Sequence, residues 1–138
     1  MTNFNNDNPE HPITSPSHYT GRGPIEPIDF SVSNNYNFLE GSITKYLHRY
    51  PFKGNPIQDL HKAMFYLDRQ IEHSKSNHGL RERPGIEVIE FVSASKYNDL
   101  ESSIAFNVYC APSAKKFLEL ASLKTAKETL VHLIQKQN

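Results

Sequence analysis

The sequence predicts an all-α fold: two tandem three-helix units related by a pseudo-two-fold axis, behind a loop-like N-terminal tail. Three observations predict it. Apolar residues recur at helical spacing in several segments. Clusters of Pro, Asn and Gly separate those segments. Residues 25–43 repeat without gaps at 86–104, an offset of 61.

Residues 1–24 read as the tail, rich in Asn, Pro and Ser, with little to bury. Ile25, Ile28 and Val32 then recur at helical spacing, and Pro24 and Pro27 suit a helix start. A second helix is expected over 38–50, with Leu39, Ile43, Leu47 and Tyr50 on one stripe. Pro51, Gly54, Asn55 and Pro56 form a connector. A third helix is expected over 56–73, its stripe Ile57, Leu60, Met64, Leu67 and Ile71. The first unit is thus 25–73, a polar linker covers 74–85, and the second unit is 86–138.

Ten of the 19 aligned positions are identical, including Ile25/Ile86, Phe30/Phe91, Tyr36/Tyr97, Asn37/Asn98, Glu40/Glu101 and Ile43/Ile104. At an offset of 63, Leu60, Ala63, Leu67 and Ile71 fall on Leu123, Ala126, Leu130 and Ile134. Such self-similarity reads as a duplicated unit. A unit this short is marginal alone, so two would share a core, as a symmetric dimer does.

Composition narrows the function. Fifteen Lys and Arg balance 15 Asp and Glu, which argues against a coat for long nucleic acid or a polybasic membrane binder. No apolar run approaches a membrane span. The single Cys110 excludes a disulfide framework and reads as a small buried residue. A soluble, cytoplasmic protein is expected, and homo-oligomerisation stays open.

The neutral total hides an asymmetry. Residues 42–70 hold five Lys or Arg and two Asp or Glu, a net +3. Lys45, Arg49, Lys53, Lys62 and Arg69 could surround a phosphate, since Lys45 and Arg49 lie one turn apart and Lys62 and Arg69 share a face. The alternative is a solvated surface in which Lys62 and Arg69 pair with Asp59 and Asp68. In the second unit Phe106, Cys110 and Thr125 replace Lys45, Arg49 and Lys62. One unit therefore reads as working and the other as scaffold.

Glu26 and Asp29 lie on one helix face, as do Glu87 and Glu90. Such a pair could hold Mg²⁺, or could simply favour a helix N-terminus. In the Gly-flanked loop, His18 could reach a phosphate and Tyr19 could stack on a base. Equally, the two could anchor the loop. His48 and His61 do not make a zinc site. Gly21-Arg22-Gly23 and Lys53-Gly54 lack the spacing of a phosphate-binding Walker loop.

Three motifs carry a resemblance over residues 17–72. They are His18-Tyr19 with Gly23-Pro24-Ile25-Glu26-Pro27-Ile28-Asp29-Phe30, then Gly41-Ser42-Ile43-Thr44-Lys45-Tyr46-Leu47-His48-Arg49, then Lys53-Gly54-Asn55-Pro56-Ile57-Gln58-Asp59-Leu60-His61-Lys62-Ala63-Met64-Phe65-Tyr66-Leu67-Asp68-Arg69. In order and spacing they resemble a small phage family, the SaV-like nucleotide kinases. Ser42 departs from the family's usual Asn, and the second unit departs at Ser102 and Phe106. The resemblance implies a nucleotide ligand, phosphorylation of deoxynucleoside monophosphates and a nucleoside triphosphate donor in an infected cell. Two readings stand beside a kinase. One is a binder that sequesters a host defence nucleotide. The other is a Mg²⁺-dependent nucleotide pyrophosphatase using Glu26 and Asp29.

Overall fold

The computed structural model describes residues 21–76, 83–110 and 116–138. Among them the chain is all-α, with no strand. The helices are α1 (Pro27–Ser33), α2 (Phe38–Arg49), α3 (Pro56–Ser76), α4 (Val88–Ala94), α5 (Asp99–Tyr109) and α6 (Lys116–Gln135). A 3-10 turn, Tyr50–Phe52, continues α2. His18 and Tyr19 lie outside the described residues.

The repeat is visible in how the helices begin. Asn37 caps α2: its side chain accepts from Glu40 N at 2.8 Å, and Glu40 Oε1 accepts from Asn37 N at 3.0 Å. Asn98 and Glu101 build the same capping box on α5, both bonds at 2.9 Å. Each box satisfies two backbone donors that a bare helix start would leave unpaired. The preceding turns match as well. Asn35 and Lys96 both adopt left-handed backbone, φ 59° and 56°. Asn tolerates that conformation, whereas for Lys it costs about 1 kcal/mol.

Helix α1 corrects the expected stripe. It starts at Pro27 rather than at Pro24, with Glu26 as its N-cap. Ile28 and Val32 are 67% and 70% exposed, and the buried positions are Pro27 and Phe30. In so short a helix one deep anchor sets the rotation. Helix α3 runs three residues past the expected end. Its neighbour α2 behaves as expected, with Ile43 and Leu47 buried and Tyr50 following in the 3-10 turn.

Helix α3 packs on α2, α6 packs on α5, and α3 and α6 pack on each other. One continuous core draws on Leu47, Leu60 and Leu67 from the first half and on Val108, Leu123 and Leu130 from the second. At its heart Phe30 and Phe91 stack face to face, with centroids 4.1 Å apart and planes 4° from parallel. Tyr36 and Tyr109 pack their edges on Phe30 at 5.4 and 5.1 Å. Tyr97 and His48 pack on Phe91 at 5.8 and 5.3 Å. All of these positions pair at the repeat offset of 61.

A buried ion pair ties the halves together. Arg22 is 7% exposed and Glu101 is 3% exposed. Arg22 Nη1 donates to Glu101 Oε1 at 3.2 Å, and Nη2 donates to Oε2 at 2.6 Å. Arg22 Nε also donates to the His48 carbonyl at 2.7 Å, and the guanidinium lies 4.6 Å from the Tyr97 ring centroid. Tyr50 Oη donates to Glu101 Oε2 at 2.5 Å. Burial pushes the Glu101 carboxyl up, but the bonds from Arg22 and Tyr50, the Arg22 charge and the Asn98 N–H together hold it below the usual range. Burial and the neighbouring Glu101 push the Tyr50 phenol up, so it remains a donor.

Two outcomes follow for stability. Glu101→Gln strands a buried guanidinium and should cost about 3–5 kcal/mol at neutral pH in chemical denaturation. The folded-state pKa of Glu101 is depressed, so its contribution is present above the ordinary glutamate value of about 4.3 and is lost as pH falls through the folded value. The gap between variant and wild type should therefore narrow in acid. A gap constant with pH would show that the carboxylate charge is not the source. Separately, Lys96→Gly should raise the unfolding free energy by about 0.5–1 kcal/mol, by relieving the left-handed turn. A loss of stability would contradict that strain.

Candidate functional site

Helices α2 and α3 lie side by side, joined by the 3-10 turn. On α2, Lys45, Tyr46 and Arg49 occupy adjoining positions, and Lys62, Tyr66 and Arg69 share a face of α3. The half-buried Tyr46 and Tyr66 rings stack, centroids 5.9 Å apart and planes 6° from parallel. This pair is the floor of the site. Lys45 Nζ lies 5.0 Å, Arg49 Cζ 4.8 Å and Lys62 Nζ 5.4 Å from the Tyr46 ring centroid. Three of the five expected cations thus converge on one ring, within reach of its negative face.

The convergence has a structural cause. Asp59 in the first turn of α3 is 2% exposed. Arg49 grips it with two bonds, Nε to Oδ2 at 3.1 Å and Nη2 to Oδ1 at 3.2 Å. This fork locks the two helices in register and draws Arg49 toward the core. Arg49 is therefore mainly a positioning cation. Lys45 and Lys62 supply the uncompensated charge of the cluster.

The remaining expected residues lie apart from that centre. Lys53 is exposed just after the 3-10 turn. Arg69 sits over the Phe65 ring at 5.8 Å. Phe65 is 53% exposed and Phe38 is 75% exposed, and both meet Tyr66 edge-on. The site thus has a cationic end at Tyr46 and an exposed aromatic end at Tyr66. In place of the expected pairs of Lys62 and Arg69 with Asp59 and Asp68, Asp59 pairs with Arg49, and Asp68 pairs with Lys127 of α6 at 2.7 Å.

Glu26 and Asp29 lie at the start of α1. Partial burial, then the Asp29 charge, push the Glu26 carboxyl up, so the two are electrostatically close. Among the described residues no group of three or more His, Cys, Asp or Glu could hold a metal ion. His48 is fully buried, with Nδ1 2.9 Å from Tyr97 Oη, while His61 is exposed. Cys110 is exposed at the end of α5, not buried as expected. Among the described residues no helix is long and apolar enough to cross a membrane.

The roles of Arg22 and Asp59 were not evident from the sequence. Extending the repeat comparison upstream pairs Arg22 with Arg83, and that was the available signal. Arg83 Nη1 donates to Tyr36 Oη at 3.2 Å. Each arginine therefore reaches an aromatic residue of the other half.

Residues 13–68 match the model of a family described as a protein of unknown function, DUF3310. The match includes α1, α2, Lys62 and Tyr66, and its description assigns no activity. No curated protein and no solved structure matches the chain.

Asp59→Asn removes the charge that Arg49 grips while keeping the side-chain shape. It should cost about 3 kcal/mol in urea unfolding, because the half-buried guanidinium loses its counterion. A cost below about 0.5 kcal/mol would show that the fork does not hold α2 against α3.

Proposed function

We propose that the chain binds a nucleotide on the α2–α3 face. Lys45 and Lys62 take the phosphate, and the Tyr66–Phe65–Phe38 aromatics take the base. The observation that carries this reading is the convergence of Lys45, Arg49 and Lys62 on the Tyr46 ring. Like charges are held together there by a ring face and a buried carboxylate, which leaves a built anion site. Bases stack on exposed aromatic rings at about 1–3 kcal/mol each. The resemblance to the small phage nucleotide kinases supports the same ligand class. Loss of the cations from α5 supports a division of labour between the halves, and the reciprocal Arg22 and Arg83 contacts support a two-fold relation between them.

Binding without turnover is the form the geometry supports best. The carboxylate meeting this face, Asp59, is buried and accepts both bonds from Arg49, an arrangement for structure rather than proton transfer. Phosphoryl transfer rests on the resemblance and would proceed by positioning and charge neutralisation. A Mg²⁺-dependent pyrophosphatase draws support from the closeness of Glu26 and Asp29. Magnesium often uses one or two carboxylates and completes its shell with water and substrate phosphate.

Calorimetry with deoxynucleoside mono- and triphosphates, with and without Mg²⁺, tests the proposal. Lys45→Ala and Lys62→Ala should each weaken binding about tenfold, the equivalent of about 1.4 kcal/mol per lost charged contact. Melting temperature should change little, since both side chains lie at the surface. Chromatography of the recovered ligand separates the forms: unchanged nucleotide supports sequestration, a transferred phosphate supports a kinase, and a monophosphate with pyrophosphate supports the third reading. Affinity indifferent to the double substitution, or no binding at millimolar nucleotide, would overturn the site.

A further inference from the structure

The face between α2 and α3 extends beyond its Lys45–Lys62 end. On α3, Lys62, Phe65, Tyr66 and Arg69 stand at positions i, i+3, i+4 and i+7, one stripe of the helix surface. At a rise of roughly 1.5 Å per residue, Arg69 lies about 10 Å along the axis from Lys62. The rings between them touch. Tyr66 stacks on Tyr46 at 5.9 Å and meets Phe65 at 5.2 Å and Phe38 at 5.8 Å. Arg69 Cζ lies 5.8 Å from the Phe65 ring centroid and closes the row. Cations therefore flank an aromatic strip at both ends.

The acids that flank Arg69 on α3 are engaged elsewhere. Asp68 pairs with Lys127 of α6 at 2.7 Å, and Glu72 pairs with Lys75 at 2.8 Å. Among the described residues Arg69 forms no ion pair. The start of α2 is tied to α3 at this point, since Asn37 Nδ2 donates to Gln70 Oε1 at 3.1 Å. Phe38 and Arg69 are thus held at a defined place on the surface. Phe38 and Phe65 are 75% and 53% exposed, and such adjoining apolar rings commonly mark a binding surface.

The other half shows that the fold does not require this row. Asp99, Glu128, Thr129 and His132 stand at the positions of Phe38, Phe65, Tyr66 and Arg69. Leu60 and Leu67 are buried, and so are their counterparts Leu123 and Leu130. The frame is common to both halves, and the rings and cations belong to one.

A single nucleotide uses only one end of such a strip, because its phosphate and base are neighbours. A strand stacked as in a duplex rises about 3.4 Å per nucleotide, so about three nucleotides reach from Lys62 to Arg69. Single strands are held in this way elsewhere, with cations along the backbone and bases stacked on rings. We propose that the ligand of this face is a short single-stranded oligonucleotide. One phosphate lies on Lys45 and Lys62, the bases lie on the Tyr66–Phe65–Phe38 rings, and a further phosphate lies on Arg69. The proposal rests on the nucleotide reading of the same face and adds the length of the ligand. The chain's balanced charge suits a segment of this size, not a long polyanion.

Calorimetry compares dAMP, dATP and the 5′-phosphorylated trinucleotide of deoxyadenosine. The last two carry the same charge at neutral pH and differ in how it is spread. The trinucleotide should bind about tenfold tighter than either mononucleotide, matching one added charged contact. Lys45→Ala should weaken all three. Arg69→Gln and Phe65→Leu should each remove most of the trinucleotide's margin. The slope of its log affinity against log salt should be shallower in Arg69→Gln by about 0.7, the value for one phosphate contact on a single strand. Equal affinity for dATP and the trinucleotide would overturn the inference and leave the single-nucleotide site standing. A margin or a salt slope untouched by Arg69→Gln overturns it as well. Failure of all three ligands to bind at millimolar concentration overturns both readings. Circular dichroism confirms that each variant is folded before it is scored.

Discussion

The Arg22–Glu101 pair is the interaction on which the other contacts between the halves depend. Arg22 precedes the first helix, and Glu101 sits in the first turn of α5. One carboxylate caps its own helix, receives a guanidinium from the other half and accepts the Tyr50 hydroxyl. Every lone pair it offers the interior is used, which is the condition under which a buried ion pair is tolerated. Tyr50 in turn fixes the end of α2, and Arg22 covers the Tyr97 ring beside the Phe30–Phe91 stack. A capping glutamate has become the point at which two helical units are registered.

The α2–α3 face uses the same device on a smaller scale. Asp59 is buried to hold Arg49, and Arg49 brings its charge to the Tyr46 ring beside two lysines. Placing cations over an aromatic face lets them share a small area without a full counterion set. The cost falls on the fold, through the burial of Asp59. Helix α5 has the same capping box without the cations, so the two faces share a frame and differ in chemistry.

Much of the fold was legible in the sequence. Long helices repeat their apolar pattern over several turns, so α2 and α3 were placed within a few residues. Helix α1 was harder. It has only two turns, and Ile28 and Val32 are as apolar as any core residue, yet the backbone rotation set by Phe30 turns them to water. Periodicity cannot rank apolar positions in so short a segment. The cation cluster was legible as a set of residues but not as a geometry. Which cation meets which acid depends on helix rotation, and Asp59 chose Arg49 rather than Lys62. Arg22 was concealed because it lies in a glycine-flanked stretch that reads as a loop. Cys110 falls at a helix end, where burial reverses within one residue.

The crossing of the two arginines bears on how the chain could have been assembled or could be rearranged. Repetition in a sequence usually suggests parts that can be lifted out, recombined or fused elsewhere. Here each part keeps its charged anchor in the other. A gene fragment encoding either half would leave a guanidinium or a carboxylate without its counterpart, and would bare one face of the Phe30–Phe91 stack. The repeat is therefore not a unit of modularity, and any change on one side of the seam must be answered on the other.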